Sequence, residues 1–248
     1  MKKRYAILLG ILMVVAFAWW VSAGSYTIYV GDNIANKADL SYGVSWDESN
    51  SSPTLTRTGN LAGITAASSP GNAFLPIQRL MRRVILSDAG VVQYYLCSTD
   101  STKKEDCATA SDIVGGDGQV MVQIPKFYYK YTYVGTTHRW DISLVSLSGF
   151  EAHPAFYKDG AWVDYRYIGA YEGVGWDNSA GAYIDNDNVA ATGWSGTTID
   201  LANDKLGSVS GFNPVTDETR ADFRAIALNR GAGWRQLDFY LNSAVQVL

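Results

Sequence analysis

The last 33 residues, from Thr216 to Leu248, constrain the fold most, because they read as two amphipathic helices joined by a glycine turn. Thr219 and Asp222 predict an N-terminal cap for the first helix, and Gly231 predicts its end. The second helix carries an apolar stripe at helical spacing, which must be covered by upstream strands, by another chain or by a segment beyond Leu248. The stripe consists of Leu237, Tyr240, Leu241, Ala244 and Leu248.

The N-terminus has the organisation of a signal peptide. The basic residues 2–4 precede an uncharged apolar run of 16 residues, 6–21, and small residues at 21–23 suit cleavage before Gly24. The run is short for a membrane-spanning helix, which needs ~20 apolar residues. We therefore predict a signal peptide over 1–23 and export of the rest, with a retained, membrane-bound N-terminal anchor as the alternative.

The composition is typical of a β-rich, loop-rich exported protein. Hydrophobic residues make up 47% of the chain, which is ample for a core, whereas the 18% of charged residues is low. Aromatic residues, with 16 Tyr and 8 Trp, supply side chains that pack with one end and hydrogen-bond with the other. The net charge of −4 and the lack of a basic stripe give no support for nucleic-acid binding.

The chain has two cysteines, Cys97 and Cys107, which flank a short polar segment. An oxidising compartment and the absence of a nearby histidine in the sequence favour a disulfide over a reactive thiol or metal pair. Closing this loop would stabilise the fold by roughly 2–3 kcal/mol in the chain-entropy model. Asn50 begins a glycosylation sequon, Asn50-Ser51-Ser52, that functions only in a host with that machinery.

Alternating apolar residues and turn signals predict a series of short antiparallel strands. Hairpins are expected at the turns 87–90, 135–137 and 158–160. Pro125 separates two alternating sets, which predicts a bulge or a sheet edge, because proline cannot donate to a ladder.

The domain organisation follows from a change in composition. The stretch 176–206 is rich in Asp, Asn, Gly, Ser and Thr, lacks a sustained period, and predicts a long surface excursion. We expect an N-terminal β/loop segment over 24–74 and a main domain over 75–248 with a long loop at 174–207.

Motifs for chemistry are few. Val209 stands where the nucleophile of a G-x-S-x-G elbow would be, and no phosphate loop, dinucleotide fingerprint or H-E-x-x-H pair occurs. His138 and His153 lie on separate segments, so a packed or solvated histidine is favoured over a metal ligand. Three carboxylates, Asp164, Glu172 and Asp177, lie near aromatic residues, and paired carboxylates can hydrolyse glycosides. Nothing in the sequence pairs them, so positions at loop ends and strand edges are the favoured interpretation.

The segment 185–188 begins like a calcium loop. Val189 and Ala190 break the helix-loop-helix pattern, so a looser calcium site there stays open as an alternative to an ordinary turn-rich loop. No cofactor is therefore predicted.

Several aromatic residues are candidates for a binding surface or for the core. One set consists of Trp140, Trp162, Tyr165, Tyr167 and Tyr171. A place in the core is favoured for most of these five residues, because alternation on a strand buries every second residue. Two tryptophans in polar segments are better candidates for exposed contacts, and acidic residues lie beside them. The predicted ligand-binding residues are Trp176, Asp177, Asp185, Asp187 and Trp194.

Eight collinear segments carry a resemblance that covers roughly 42–248. They are SPTLTRTG (52–59), LPIQRLMRRVILSDAGVVQYYL (75–96), STKKED (101–106), DGQVMVQIPKFYYKY (117–131), HRWDIS (138–143), GFEAHPAFYKDG (149–160), VDYRYIGAYEG (163–173) and TRADFRAIALNRGAGWRQLDFYLNSAVQVL (219–248). Taken together they resemble phage tail and receptor-binding proteins. These proteins belong with the variable proteins of diversity-generating retroelements and have a C-type-lectin-like fold related to formylglycine-generating enzymes.

The resemblance implies an α+β, C-type-lectin-like fold, in which two helices pack on a small antiparallel sheet, and a binding module rather than a catalyst. The family's ligand surface lies mostly after the second helix, in a part expected to be missing here, so no contact residue is carried over. The export signal and the cysteine pair depart from the family pattern and suggest display outside a cell or on a virion. Cys97 and Cys107 do not match the cysteines of the oxidase relatives, so that activity is not transferred.

The sequence therefore predicts a secreted or surface-displayed, non-enzymatic adhesion or receptor-binding protein. Its expected partner is a surface glycan or protein, and a second copy or an assembly neighbour at the last helix stays open as a further partner. A structural subunit of a virion or cell-surface assembly is the alternative, followed by an enzyme of the formylglycine-generating or glycosidase type.

Overall fold

The computed structural model describes residues 40–51, 54–63, 75–184, 199–216 and 218–248. The expected signal peptide and the start of the N-terminal segment lie outside these residues. The described part is mixed and mostly antiparallel β-sheet, which confirms the α+β expectation at the level of fold class.

The described residues form fourteen strands and three helices. The strands are β1 Ser41–Asp47, β2 Thr56–Gly59, β3 Arg82–Leu86, β4 Val92–Tyr95, β5 Gln119–Pro125, β6 Tyr128–Val134, β7 Thr137–Ser143, β8 Glu151–Ala152, β9 Tyr157–Lys158, β10 Ala161–Trp162, β11 Tyr165–Gly169, β12 Val174–Asp177, β13 Ala182–Tyr183 and β14 Lys205–Gly207. The helices are α1 Pro76–Leu80, α2 Arg220–Asn229 and α3 Phe239–Val247, and a short 3-10 turn covers Pro154–Phe156.

Three sheets and a small hairpin organise these strands. Sheet A has the order β2-β1-β7-β6-β8, sheet B has the order β11-β5-β3-β4, and sheet C has the order β13-β12-β14. Strands β9 and β10 pair as a separate hairpin. The three turns predicted from glycine-containing stretches all connect antiparallel strands, which confirms the predicted hairpins.

Sheets A and B meet the helices in one apolar cluster. Its buried members come from β1, β5, β7, the 3-10 turn, α1 and α3, so the core holds the two sheets and two helices together. They include Tyr42, Ile77, Ile124, Phe127, Ile142, Phe156, Leu241 and Ala244. The hydroxyl of Tyr42 accepts a hydrogen bond from the Ile77 N–H at 3.1 Å and donates to Gln78 Oε1 at 2.7 Å, so this buried polar group is satisfied.

The two helices predicted after Thr216 are present as α2 and α3. Thr219 caps α2 together with Asp222 in a reciprocal capping box, as predicted. Leu241 and Ala244 of α3 are buried against upstream strands, whereas Leu237 and Tyr240 of the same stripe are about half exposed. Upstream strands therefore cover only part of the predicted stripe.

Pro125 takes neither of the two predicted roles. It is the last residue of β5, an interior strand of sheet B, and pairs with Tyr165 of β11. Two residues later Phe127 enters the shared core, and β6 continues in sheet A. The proline therefore marks the point at which the chain changes sheets, a position where one missing donor is tolerated.

Two expected boundaries differ from the structure. Strands β1 and β2, assigned to a separate segment ending at 74, pair within sheet A, where β1 lies beside β7 over seven residues. The described ends of the predicted loop 174–207 form sheet C, because β12 pairs with both β13 and β14. Short strands of this kind carry too few residues to show a period in the sequence.

The disulfide between Cys97 and Cys107 is present, as predicted. Its loop folds back on the outer edge of β4: the Glu105 N–H donates to the Tyr95 carbonyl at 2.9 Å, and Leu96 forms a bridge with Lys104. The loop thereby pairs an edge of sheet B that would otherwise be open.

Gly43 allows β1 to lie close to β7. A Cβ at this position would lie 1.8 Å from the carbonyl oxygen of Trp140, which is backbone and cannot move aside like a flexible side chain. Because Gly43 pairs with Asp141, the glycine sets the distance between β1 and β7.

We expect Gly43→Ala to lower the free energy of unfolding by about 2 kcal/mol, because overpacking against backbone must push the strands apart. Urea unfolding followed by circular dichroism measures this effect. Ser45→Ala, on the same face of β1, is the control and should change stability by less than about 0.5 kcal/mol. Equal stability of the two variants would contradict the close approach.

Candidate functional site

One face of sheet A carries three cross-strand rows of large side chains. The register pairs residues of β1 with β7 and of β7 with β6, and alternate residues along each strand share a face. The inner row is Tyr42, Ile142 and Tyr129; the middle row is Val44, Trp140 and Tyr131; the outer row is Trp46, His138 and Tyr133. The middle and outer rows together are called the aromatic face below.

The core covers only the inner row. Tyr42 and Ile142 belong to the buried cluster, and Tyr129 packs against it. On the aromatic face, Tyr131 of the middle row is 47% exposed and Tyr133 of the outer row is 51% exposed. The same side of the sheet is therefore core at one end and solvent-accessible at the other.

His138 lies at the centre of the aromatic face. Its ring is stacked on Trp46 with centroids 5.1 Å apart and on Trp140 with centroids 5.8 Å apart. The rings of Tyr133 and Tyr131 lie 4.5 and 6.0 Å from it. Ring contacts of this kind hold large side chains in place and lower the entropy lost when a ligand binds.

Hydrogen bonds connect the polar tips of the same side chains. His138 Nε2 lies 2.9 Å from Glu48 Oε2, and because an ionised carboxylate only accepts, Nε2 donates. Nδ1 lies 2.7 Å from the Tyr131 hydroxyl, which donates to it when the imidazole is neutral. The Tyr133 hydroxyl donates to Glu48 Oε1 at 2.5 Å. The carboxylate therefore orients a histidine and a tyrosine at once.

These bonds shift the acidity of two groups. The hydrogen bond from His138, followed by that from Tyr133, lowers the pKa of Glu48 below its ordinary value of 4.5. The bond to Glu48 raises the pKa of Tyr133, because deprotonation would place two negative charges together. Glu48 is thus ionised and Tyr133 is neutral at physiological pH.

The opposite face of sheet A is polar. Arg139 forms a bidentate pair with the buried Asp141, with distances of 2.6 and 2.8 Å, and Thr58 Oγ1 donates to the same carboxylate at 3.3 Å. The two faces therefore differ in chemistry, and only one of them presents a group of aromatic rings.

The predicted ligand-binding residues Trp176 and Asp177 lie in sheet C. Trp176 is half-buried in β12 and contacts the Tyr183 ring edge-to-face at 4.9 Å, so it lies on a strand rather than in the expected polar loop. Asp177 Oδ1 accepts from the Ser179 N–H at 2.7 Å and from the Ala180 N–H at 2.9 Å. These bonds close the turn to β13. The Ser179 hydroxyl also donates to Oδ1 at 2.7 Å, and this hydrogen bond, followed by that from the Ala180 N–H, lowers the pKa of Asp177.

The other predicted ligand-binding residues, Asp185, Asp187 and Trp194, lie outside the described residues, as does the possible calcium loop. Within the described ranges, no group of three or more His, Cys, Asp and Glu side chains is placed to hold a metal ion. Asn50 is exposed in the turn after β1, while Ser52 of its sequon lies outside the described residues.

The five aromatic residues for which a place in the core was mostly expected are more exposed than predicted. Trp162 is 52% exposed and Tyr165 is 46% exposed, while Trp140, Tyr167 and Tyr171 are partly buried. Tyr165 and Tyr167 lie on the edge strand β11, Trp162 lies in a two-stranded hairpin, and Tyr171 follows the end of β11. Alternation therefore does not bury one side completely.

The sequence did not identify the aromatic face as a site. Alternation of Tyr129, Tyr131 and Tyr133 was visible, but their partners Trp46 and His138 lie on two other strands. The available signal was a set of aromatic rings on one face of each of three strands: Tyr42 and Trp46 four residues apart on β1, His138 and Trp140 on β7, and Tyr129, Tyr131 and Tyr133 on β6. Which of these strands pair depends on contacts between residues that are far apart in the sequence.

His153, the other histidine, is a packed residue. It is buried, its ring lies 5.2 Å from that of Phe127, and Nδ1 accepts from the Ala155 N–H at 3.3 Å. Burial lowers its pKa, so the ring is neutral near pH 7.

Among the helices of the described ranges, none has the length and apolar character needed to span a membrane. Comparisons with family models, with curated proteins and with solved structures find no match to this chain.

We expect the carboxyl group of Glu48 to titrate below pH 4.5 in the folded protein, as measured by NMR. Because the folded-state pKa is depressed, ionised Glu48 stabilises the fold above its ordinary pKa, and this contribution is lost as pH falls through the folded-state pKa. His138→Phe keeps a stacked ring but removes the donor, so the midpoint should rise towards 4.5. Tyr133→Phe should give a smaller rise. A wild-type midpoint at or above 4.5 would contradict the network.

Proposed function

We propose that this protein is an exported, non-enzymatic adhesion or receptor-binding protein that recognises a surface glycan through the aromatic face of sheet A. The observation that carries the proposal is the cluster of Trp46, Tyr131, Tyr133 and Trp140 around His138, in which two tyrosines are about half exposed. Exposed aromatic groups of this size on one surface are typical of interaction sites.

The chemistry of the face matches that of a sugar. A pyranose ring presents C–H groups on its faces and hydroxyls around its edge, so it pairs with aromatic rings that have polar groups beside them. Glu48, Tyr131 and Tyr133 supply carboxylate and hydroxyl groups next to the rings. An oligosaccharide can therefore stack on the rings and hydrogen-bond to their rim at the same time.

The side chains of the aromatic face are held rigidly, which supports a role in binding a ligand without a change in the conformation of the face. The rings lie on three paired strands and are tied by hydrogen bonds at their tips, so little side-chain entropy remains to be lost on binding. The inner row anchors the same strands in the core. A preorganised surface of this kind gives useful affinity with few contacts.

A binding role suits the face better than catalysis. His138 uses both ring nitrogens on Glu48 and Tyr131, so its ring has no free nitrogen to act as a base. The oxygens of Glu48, Tyr131 and Tyr133 keep lone pairs that can accept from a sugar hydroxyl. The face is also open, since Tyr131 and Tyr133 are about half exposed, whereas enzymes exclude water from the reacting groups. These features support a protein that holds a ligand without altering it.

The proposal also includes the location of the protein outside the cell and the type of its fold. The disulfide is a pairing that persists in oxidising compartments, in agreement with a cleaved signal peptide and a secreted or surface location. We also propose a C-type-lectin-like scaffold, which is supported by the order of hairpins followed by two C-terminal helices.

A role as a structural subunit is the second candidate, and a specific observation favours it. Leu237, Phe239 and Tyr240, around the start of α3, are 49%, 78% and 54% exposed. An apolar group of this size at the surface is a common feature of subunit interfaces. Loss of oligomers in Phe239→Asp would favour this role.

We expect Tyr133→Ala to weaken glycan binding about tenfold or more, because it removes an exposed ring and a hydrogen-bonding hydroxyl from the face. A glycan array identifies the oligosaccharide, and calorimetry with that oligosaccharide gives the dissociation constant. Tyr131→Ala should weaken binding in the same way.

Val134→Ala is the matched control. Val134 is 77% exposed, follows Tyr133 directly and lies on the opposite face of β6, so its truncation should leave the affinity unchanged. Equal loss in both variants, or array binding unaltered by Tyr133→Ala and Tyr131→Ala together, would reject the aromatic face as the glycan site.

A further inference from the structure

Charged side chains are unevenly distributed around the aromatic face. Residues paired across neighbouring strands share a face of the sheet, so the register shows which charges lie on this side. Arg57 of β2 pairs with Val44 and therefore extends the middle row. Glu151 of β8 pairs with Tyr129 and extends the inner row on the opposite side. Glu48 lies just beyond β1 and bonds to the outer row, so two carboxylates and one arginine border the face.

The two half-exposed rings of the face lie close to the carboxylates. The hydroxyl of Tyr133 donates to Glu48 at 2.5 Å, so a ligand on this ring meets the carboxylate as well. Tyr131 is one strand and two residues away from Glu151, which places their Cα atoms about 8 Å apart at ordinary strand spacing. A ligand that stacks on the accessible rings is therefore held between two negative charges.

Arg57 is much farther from these rings. Strands β1 and β7 separate β2 from β6, so three strand spacings, or about 14 Å, lie between the Cα atoms of Arg57 and Tyr131. The Debye length at physiological salt is about 8 Å, so the positive charge is largely screened at this distance. The carboxylates therefore dominate the potential at the exposed rings.

The charge of Glu48 is not neutralised by a basic side chain. Among the described residues, no lysine or arginine lies within ion-pair distance of this carboxylate, whose side chain is 39% exposed. Its two side-chain partners are the His138 ring and the hydroxyl of Tyr133. The hydrogen bond from His138, followed by that from Tyr133, lowers the pKa of Glu48, which keeps the carboxylate ionised at physiological pH.

Building on the proposed function, we infer that the glycan bound by the aromatic face is neutral or carries a free amino group, and that acidic sugars are disfavoured. The carboxylate of a sialic acid or a uronic acid stacked on Tyr131 or Tyr133 lies within about one Debye length of Glu48 or Glu151, and like charges at such distances repel. A sugar hydroxyl instead donates a hydrogen bond to the same carboxylate oxygens.

A free amino group gains from two features of the face at once. An ammonium group makes a charge-assisted hydrogen bond to a carboxylate such as that of Glu48. It is also attracted to the face of an aromatic ring, and Tyr131 and Tyr133 offer such rings at the surface. An amino sugar should therefore bind more tightly than its N-acetylated form, which carries no charge.

The test begins with an array that contains neutral, amino-sugar, sialylated and uronate-bearing glycans. Calorimetry then compares the best-bound neutral oligosaccharide with the same molecule oxidised to uronates at its primary hydroxyls. The oxidised form should bind about fivefold more weakly or less tightly still in about 20 mM salt. The difference should narrow in about 500 mM salt, because ions screen the repulsion.

Two matched variants locate the charge that discriminates between the two forms. Glu48→Gln removes the charge and keeps the size of the side chain, so the ratio of the two affinities should fall about threefold or more. Glu172→Gln removes the same charge from an exposed position outside sheet A and should leave the ratio unchanged. This control separates the charge of the face from the net charge of the protein.

The outcomes distinguish this inference from the proposed function. Array binding confined to sialylated or uronate-bearing glycans would overturn the inference and leave glycan binding standing, as would equal affinity for the neutral and oxidised forms. An equal change of the ratio in Glu48→Gln and Glu172→Gln would also overturn it. An array without any signal would reject glycan binding itself, and the inference with it.

Discussion

The alternation of side chains along β1, β6 and β7 is the constraint on which the rest of the structure depends. It places the buried Tyr42 and the half-exposed Tyr133 on the same face of one sheet, because successive residues of a strand point to opposite sides. Core residues therefore anchor the strands that hold the aromatic face. Gly43 contributes by letting the two central strands approach closely, and a shift of one residue in register would turn the whole face over.

The two edges of sheet B differ in what lies beside them. One edge is paired by the loop that the disulfide closes. The other edge strand, β11, lies beside a cleft of about 910 Å³ that is also lined by Phe223 and Ala227 of α2 and by residues 232–238. A buried guanidinium, that of Arg230, holds the cleft wall in place: it donates to the Leu206 carbonyl at 2.5 Å and to Asp88 at 2.9 Å. Because a buried charge is costly unless it is paired, these bonds fix α2 relative to β14 and to the β3–β4 turn. The aromatic face of sheet A and the cleft beside sheet B thus belong to one scaffold.

Local signals in the sequence predicted local structure. The Thr219–Asp222 cap, the hairpin turns and the cysteine pair each act over about ten residues or fewer, and the structure contains all of them. The expectations that failed were those that needed distant partners. Pro125 changes sheets instead of forming a bulge, and Trp176 lies on a strand because β12 finds its partners in β13 and β14.

The sequence by itself determined the class of the protein: mixed and β-rich, rich in tyrosine and tryptophan, stapled by a disulfide and with two helices after Thr216, the first of which is capped by Thr219. These properties follow from composition and from contacts between residues near one another in the chain. Only the tertiary structure decided which aromatic residues meet at the surface. Trp46, Tyr131 and His138 join because three strands pair in one register, and strand pairing depends on contacts that residue order alone does not specify.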